Sequence, residues 1–160
     1  MKPTLLLAAA LTAIPLTAAL AQTPQTPQTP TATAGLTPEQ IVAARQTGYF
    51  LSGGSFASMK FAAEAGTDVR QLVFPARTLA RWARTLPSLF PAGTQLPSSK
   101  ALPEIWSDRA GFEARATAYA EAAGRLAEAA QSGDRDAFLA RWAETRATCS
   151  ACHDSYRRSD

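Results

Sequence analysis

The stretch Cys149-Ser150-Ala151-Cys152-His153 contains both cysteines and the only histidine of the 160-residue chain. In an α-helix, positions i, i+3 and i+4 lie on one face, so the two thiols and the imidazole would point the same way. The spacing C-x-x-C-H is the one required for covalent attachment of a c-type haem. Cys149 and Cys152 would bond to the two vinyl groups, and His153 would be the proximal iron ligand. The stretch therefore predicts a helix that carries one haem c.

Three other interpretations of the motif fit the chain less well. A structural zinc site usually has four protein ligands, and two cysteines and one histidine fall short of that number. A thioredoxin-like redox motif is expected near a βαβ pattern, which is not apparent in this sequence. A plain disulfide is compatible with an exported protein, but it would leave His153 without a role.

The N-terminus is typical of an exported protein. Lys2 precedes an apolar run at residues 5–20, which ends in the small-residue pattern Ala19-Leu20-Ala21. This pattern predicts a signal peptide at residues 1–21, cleavage before Gln22 and a periplasmic mature protein. A membrane anchor is the alternative. The run is short for a spanning helix and contains Pro15, so we expect no stable membrane insertion after cleavage.

Residues 22–36 have a proline at every third position over most of their length and only small or polar side chains before Leu36. This composition predicts an extended, disordered tether. Removal of residues 1–21 takes away Lys2 and no acid, so the formal net charge falls from +3 to +2. No cluster of basic residues interleaved with aromatics indicates nucleic-acid binding. Residues 37–160 are long enough for one domain.

The first helix is predicted to begin at Thr37-Pro38-Glu39-Gln40, which contains a capping box and a proline at the first helical position. It should extend into the mid-60s. Gly48, Gly53 and Gly54 weaken it by about 1 kcal/mol each relative to alanine. Glycines at such positions indicate close helix packing or a bend.

A second helix is predicted from residue 67 or 68 onward, with a kink or a late start at Pro75 and an end at Pro87. Residues 88–104 are rich in proline, glycine and serine and predict a long surface connection. A third helix should begin at residues 106–108 and continue to a break at residues 131–134.

The fourth helix carries the haem motif on the same face as its apolar side chains. The stripe consists of Phe138, Trp142, Thr145, Cys149, Cys152, His153 and Tyr156. Short connections after the first and third helices predict antiparallel neighbours. The sequence therefore predicts an all-α protein, an antiparallel up-down-up-down four-helix bundle with covalently bound haem.

Three segments resemble the cytochrome c′ family, the class II c-type cytochromes. They are Ala44-Arg45-Gln46, residues 103–108 (PEIWSD) and residues 149–157 (CSACHDSYR), and the resemblance extends over most of residues 37–158. It implies a homodimer formed through the first two helices. Candidate residues for that surface are Phe61, Val73 and Trp82.

The resemblance also implies individual roles in the haem site. Cys149 and Cys152 would form the thioethers, and His153 would bind iron. Arg157, four residues later on the same helical face, matches the basic residue on the proximal side. Arg45 and Gln46 match the pair that contacts the haem propionates. The apolar haem-packing positions are matched by Phe56, Phe90, Phe112 and Tyr119.

Tyr49 matches the distal position, which faces the iron without binding it. Tyr49 is preferred to Phe50 because it lies four residues after Arg45, although a small error in helix phase would exchange the two. The mature chain has one methionine, Met59. It lies ten residues after Tyr49, about 15 Å along a helix, too far away to replace it. Tyrosinate ligation would need a basic partner, because a phenol has a pKa of about 10.

The sequence therefore predicts a five-coordinate, high-spin iron that admits the small gases nitric oxide and carbon monoxide. A plain electron-transfer cytochrome with a redox partner protein is the main alternative, and the two roles are compatible. A weak peroxidase would need a distal acid or base, and His153 is already used. We expect no enzymatic activity. The resemblance further implies that nitric oxide can displace the proximal histidine and that Arg157 modulates this step.

Overall fold

The computed structural model of the chain describes Thr33 and residues 35–159. The predicted signal peptide, and all of the predicted tether except Thr33, Gly35 and Leu36, lie outside the described residues. The helices are α1 (Pro38–Glu64), α2 (Val73–Thr85), the short α3 (Glu104–Ser107), α4 (Arg109–Ser132) and α5 (Arg135–Tyr156). No β-strand occurs between residues 35 and 159, where the backbone forms only one isolated bridge. The all-α four-helix bundle is confirmed.

The predicted capping box begins α1. The Thr37 hydroxyl accepts a hydrogen bond from the Gln40 amide at 3.3 Å, and the Gln40 side chain accepts one from the Thr37 amide at 2.9 Å. Pro38 occupies the first helical position, where a missing N–H has no cost. These contacts satisfy backbone donors that the first turn of a helix cannot pair internally.

The second helix starts late rather than kinking. Asp68 caps a 3₁₀ turn at Val69–Leu72, and α2 follows from Val73. Pro75 therefore lies in the first turn of α2, where no amide donor is needed. Thr85 is the last residue of α2, and Pro87 belongs to a second 3₁₀ turn, Leu86–Leu89.

Two apolar clusters hold the bundle together. The central cluster draws on all four long helices and includes Met59, Leu79, Ala83, Ala123, Leu126 and Phe138. The C-terminal cluster surrounds the end of α5 and consists of Leu86, Leu89, Phe90, Ile105, Phe112, Ala116 and Tyr156. The interfaces of α4 with α2 and with α5 are much more extensive than those of α1. The helices therefore enclose space on the α1 side.

A polar clamp fixes the end of α5. The Tyr156 hydroxyl donates a hydrogen bond to Asp108 Oδ2 at 2.7 Å, and Asp108 Oδ1 accepts the Gly111 amide at 3.1 Å. The Leu102 amide bonds to the Tyr156 carbonyl at 3.0 Å. Gly111 has no room for a side chain, because a Cβ there would lie 2.6 Å from the Tyr156 hydroxyl. The clamp thus depends on a glycine in α4.

Substitution of this glycine should weaken the fold. Gly111→Ala is expected to lower the free energy of unfolding by about 1–3 kcal/mol, because the new methyl group overpacks the Asp108–Tyr156 hydrogen bond. Gly124→Ala is the matched control in the same helix, since nothing lies within 4 Å of its added Cβ. It should stabilise the protein by about 0.5–1 kcal/mol. Urea unfolding of the holoprotein measures the free energy of unfolding of both variants. Equal changes of the same sign in the two variants would contradict the clamp.

Candidate cofactor site

A cavity of about 710 Å³ opens between α1, α4, α5 and the connection that precedes α3. Its volume falls in the usual range for cofactor pockets, about 300–1,000 Å³. All eleven residues predicted for the haem site contribute to its lining: Arg45, Gln46, Tyr49, Phe56, Phe90, Phe112, Tyr119, Cys149, Cys152, His153 and Arg157. Residues more than a hundred positions apart in the sequence thus meet at one cavity.

The two thiols lie on the cavity face of α5, which Asp134 caps by accepting the Ala137 amide at 2.9 Å. Neither cysteine forms a disulfide. Burial raises the pKa of Cys149 and of Cys152, so both are neutral thiols at neutral pH. Within the described residues no group of three or more His, Cys, Asp and Glu side chains is arranged to hold a metal ion. The zinc interpretation therefore gains no support, and the donor set fits a c-type haem.

His153 lies in the last turn of α5, and its carbonyl accepts the Arg157 amide at 3.1 Å. Burial, and then the positive charge of Arg157, lower the pKa of His153. The ring is therefore neutral near pH 7, and neutral imidazole is the form that binds metals. The clamp formed by Tyr156 and Asp108 holds the same turn. His153 is thus well placed as an axial ligand.

The predicted helical position of Arg157 is wrong. Because α5 ends at Tyr156, the Arg157 backbone is extended, with φ −128° and ψ 130°, and does not continue the helical face of His153. The backbone of Arg157 forms an isolated bridge with Ala101. Arg157 nevertheless lines the same cavity as His153. Arg157 is therefore brought to the cavity of His153 by the extended backbone after α5 and its bridge to Ala101, and not by helical periodicity.

Arg45 has a structural role that sequence reasoning missed. Its guanidinium is buried and donates four hydrogen bonds: to Leu89 O at 3.2 Å, Thr94 Oγ1 at 2.9 Å, Thr94 O at 2.9 Å and Ser99 Oγ at 2.8 Å. It also lies over the Phe90 ring, 4.3 Å from the centroid. All four acceptors are neutral oxygens, and a buried cation in such surroundings favours a nearby anion. This environment favours a contact between Arg45 and a haem propionate, which stays a prediction.

Gln46 joins the same connection to α1, because its side-chain amide donates to the Ser98 carbonyl at 2.9 Å. Arg45 and Gln46 therefore attach the loop before α3 to the first helix. No periodic pattern in residues 88–104 indicated this attachment.

The apolar wall of the cavity includes a residue that the predicted site omitted. Trp142 stacks on Phe56, with ring centroids 4.5 Å apart and an interplanar angle of 7°. Its indole N–H donates to the Phe56 carbonyl at 2.8 Å. Trp142 precedes Cys149 by seven residues, two turns of the same helical face, so its position was available from the stripe. Elsewhere in the lining, Phe112 packs edge-on against Phe90, with ring centroids 5.1 Å apart.

Tyr49 and Phe50 both line the cavity, but their environments differ. Phe50 is 82% exposed and Tyr49 is 38% exposed. Tyr49 packs edge-on against Trp82, with centroids 5.6 Å apart. Burial, followed by the nearby Cys152, raises the pKa of Tyr49 above its ordinary value. Tyr49 is therefore a neutral phenol at physiological pH, a form that does not favour tyrosinate ligation.

Met59 does not contribute to the cavity lining and is buried in the central cluster. The charged lining residues are all basic: Arg45, Lys100, Arg115, Arg146 and Arg157. No Asp or Glu belongs to the lining within the part of the chain that the structure describes. Such a charge distribution suits a cofactor that carries carboxylates.

Comparisons of the sequence point to one family. The sequence profile of the family described as Cytochrome C' matches residues 40–157. A cytochrome c' from Alcaligenes xylosoxydans xylosoxydans is 32% identical over 123 residues, which cover 76% of this chain and 95% of the relative. A cytochrome c' from Allochromatium vinosum is 28% identical over 129 residues, 78% of this chain and 84% of the relative.

Solved structures agree with these matches. The crystal structure of cytochrome c' from Thermochromatium tepidum superimposes with a TM-score of 0.73 at 28% identity, over 79% of this chain and 100% of that one. The nitric oxide complex of a mutant cytochrome c prime from Alcaligenes xylosoxidans superimposes with a TM-score of 0.71 at 31% identity. The match covers 77% of this chain and 97% of that one. A family profile covering most of the chain, relatives matched over most of their length and a shared bundle lead to one conclusion: the chain belongs to the cytochrome c′ family.

Proposed function

We propose that this chain is a periplasmic haem c protein that binds nitric oxide and carbon monoxide at a five-coordinate, high-spin iron and can exchange electrons. Cys149 and Cys152 would hold the haem, and His153 would be its axial ligand. The observation that carries the proposal is the composition of the cavity. The cavity brings these three side chains together with an apolar wall, and its lining includes no methionine and no second histidine among the residues that the structure describes.

Haem iron with one protein ligand can bind a gas at its open position. The surrounding chain would determine which ligands enter. Tyr49 and the aromatic wall favour small uncharged molecules. The nitric oxide complex of the Alcaligenes relative supports the choice of gas. The neutral Tyr49 is a poor acid or base, so we infer binding and electron exchange without enzymatic turnover.

An exported location rests on the predicted signal peptide. No helix in the described part of the chain is long and apolar enough to cross a membrane.

Optical spectra of the holoprotein test the gas-binding site. The reduced protein is expected to show a broad high-spin Soret band that shifts on addition of nitric oxide or carbon monoxide. Cys149→Ala or Cys152→Ala should leave one thioether, and the double variant should lose covalent haem on a denaturing gel. Met59→Leu is the control and should leave the spectrum unchanged. A sharp low-spin spectrum indifferent to both gases would refute an open site and leave electron transfer as the function.

The basic lining suggests how a redox partner would be recognised. Four exposed basic residues line the cavity. Lys100 lies on the loop before α3, Arg115 on α4, Arg146 on α5 and Arg157 directly after α5. Two propionates would offset part of this charge and leave a net positive rim. Such a rim steers anionic partners towards the haem. We therefore infer an acidic surface on the protein that exchanges electrons here.

Electron exchange should therefore depend on charge near the cavity. Arg115→Glu and Arg146→Glu are each expected to slow reduction of hexacyanoferrate(III) by the ferrous holoprotein by about 3–10-fold at low ionic strength, and less at high salt. Arg81→Glu is the control, because Arg81 is exposed on α2 and does not line the cavity. Stopped-flow absorbance measures the rates. An equal slowing by Arg81→Glu would mean that only the overall charge of the protein acts.

An apolar surface on α1 and α2 supports the proposed homodimer. Phe50, Leu51, Phe61 and Phe74 are each at least 71% exposed. The other two residues predicted for this surface are Val73 and Trp82, and both pack against the core of their own chain. Phe61 and the three other exposed side chains are thus the better candidates for a contact between two copies.

A charge at this surface should separate the two copies. Phe61→Lys is expected to shift the holoprotein from dimer towards monomer, because a buried unpaired ammonium at an interface is unfavourable. Ala140→Lys, on the exposed side of α5, is the matched control and should remain dimeric. Sedimentation velocity measures the mass. A wild-type monomer at micromolar concentration would contradict the dimer directly.

A further inference from the structure

Trp82 packs against Tyr49 from outside the residues that line the cavity. The two rings meet edge-on, with an interplanar angle of 86°. Trp82 does not line the cavity, whereas Tyr49 does. Trp82 thus contacts the predicted distal residue without reaching the space that a ligand would occupy.

Gly48 makes room for the Trp82 ring. A Cβ built at Gly48 would overlap the ring, with Cζ3 2.5 Å and Cζ2 3.0 Å away. Added Cβ atoms at Gly53 and Gly54 would meet nothing within 4 Å. Of the three glycines in α1, only Gly48 is therefore required by a neighbouring side chain, and that neighbour touches the next residue, Tyr49.

The indole of Trp82 is held by packing and not by a polar bond. Its Nε1 is buried and has no hydrogen-bond partner among the described residues. A buried tryptophan N–H usually finds a partner, and leaving it unpaired is unfavourable. Shape complementarity to the α1 backbone, to Tyr49 and to the C-terminal cluster therefore determines where the ring lies.

We propose that Trp82 is a positioning residue that holds the Tyr49 ring against the cavity, and that Gly48 permits this contact, so that the pair sets the rate at which diatomic gases reach the iron. This inference rests on the gas-binding function proposed above. Phe50 lacks such support and is 82% exposed, which explains why Tyr49 would form the barrier. A tyrosine ring that is free to rotate away would open the cavity.

Flash photolysis of the carbon monoxide complex of the ferrous holoprotein measures this rate. Trp82→Leu should raise the association rate constant about tenfold. Trp82→Phe keeps a ring in place and should recover most of the wild-type rate. Gly48→Ala should also change the rate, because the methyl group displaces the indole, whereas Gly54→Ala should stay within about twofold of wild type. If Trp82→Leu does not fold, Trp82→Phe and Gly48→Ala still test the contact.

A double-variant cycle with Tyr49→Ala separates positioning from general loosening. Trp82→Leu should have no further effect once Tyr49 is alanine. If Trp82→Leu raises the association rate constant equally in the wild-type and in the Tyr49→Ala background, the inference is overturned. It is also overturned if Tyr49→Ala accelerates binding and Trp82→Leu in the wild-type background does not. Neither outcome affects the proposed gas binding. An unchanged rate in Tyr49→Ala would show that Tyr49 is not the barrier and would overturn it as well. A wild-type protein that binds no carbon monoxide would instead refute the proposed function.

Discussion

The buried guanidinium of Arg45 joins the first helix to the loop that closes the cavity. Four hydrogen bonds to neutral oxygens of residues 89–99 fix this loop, which has no regular structure of its own over most of its length. Hydrogen bonds to a charged group are worth more than neutral ones, about 1.5–3 kcal/mol each. Because Phe90 lies against the same guanidinium and against Phe112, the position of Arg45 also determines one apolar wall.

The bundle makes its cavity by unequal helix packing. Alanines occupy the contact between α2 and α4, among them Ala76, Ala80, Ala83, Ala123 and Ala130. Side-chain size at the contact determines how closely two helices approach. Where α1 faces the other helices near the cavity, it carries Tyr49 and Phe56. The close pairs form the frame of the bundle, and the wider side leaves the cavity in which a cofactor would fit.

Much of this arrangement could be predicted from residue patterns, but only where the pattern was local. The capping box at Thr37, the late start of α2 near Pro75 and the C-x-x-C-H face are local features, and the first two appear in the structure, where α2 starts at Val73. The roles of Gly48 and Trp82 depend on a contact between two helices, which periodicity within either helix does not encode. The placement of Arg157 failed for a related reason, because a hydrogen-bonded pairing with residues 100–102 ends α5 one residue earlier.

The two apolar clusters suggest that cofactor binding and folding are coupled in this protein. Tyr119 is a side chain that packs against both the central and the C-terminal cluster, and it lines the cavity between them. A flat apolar group bound there would extend both clusters at once and remove additional apolar surface from water. Burial of that surface contributes roughly 25 cal/mol per Å². Covalent attachment at Cys149 and Cys152 would make this gain permanent, so the cofactor would complete the part of the core that its own cavity leaves open.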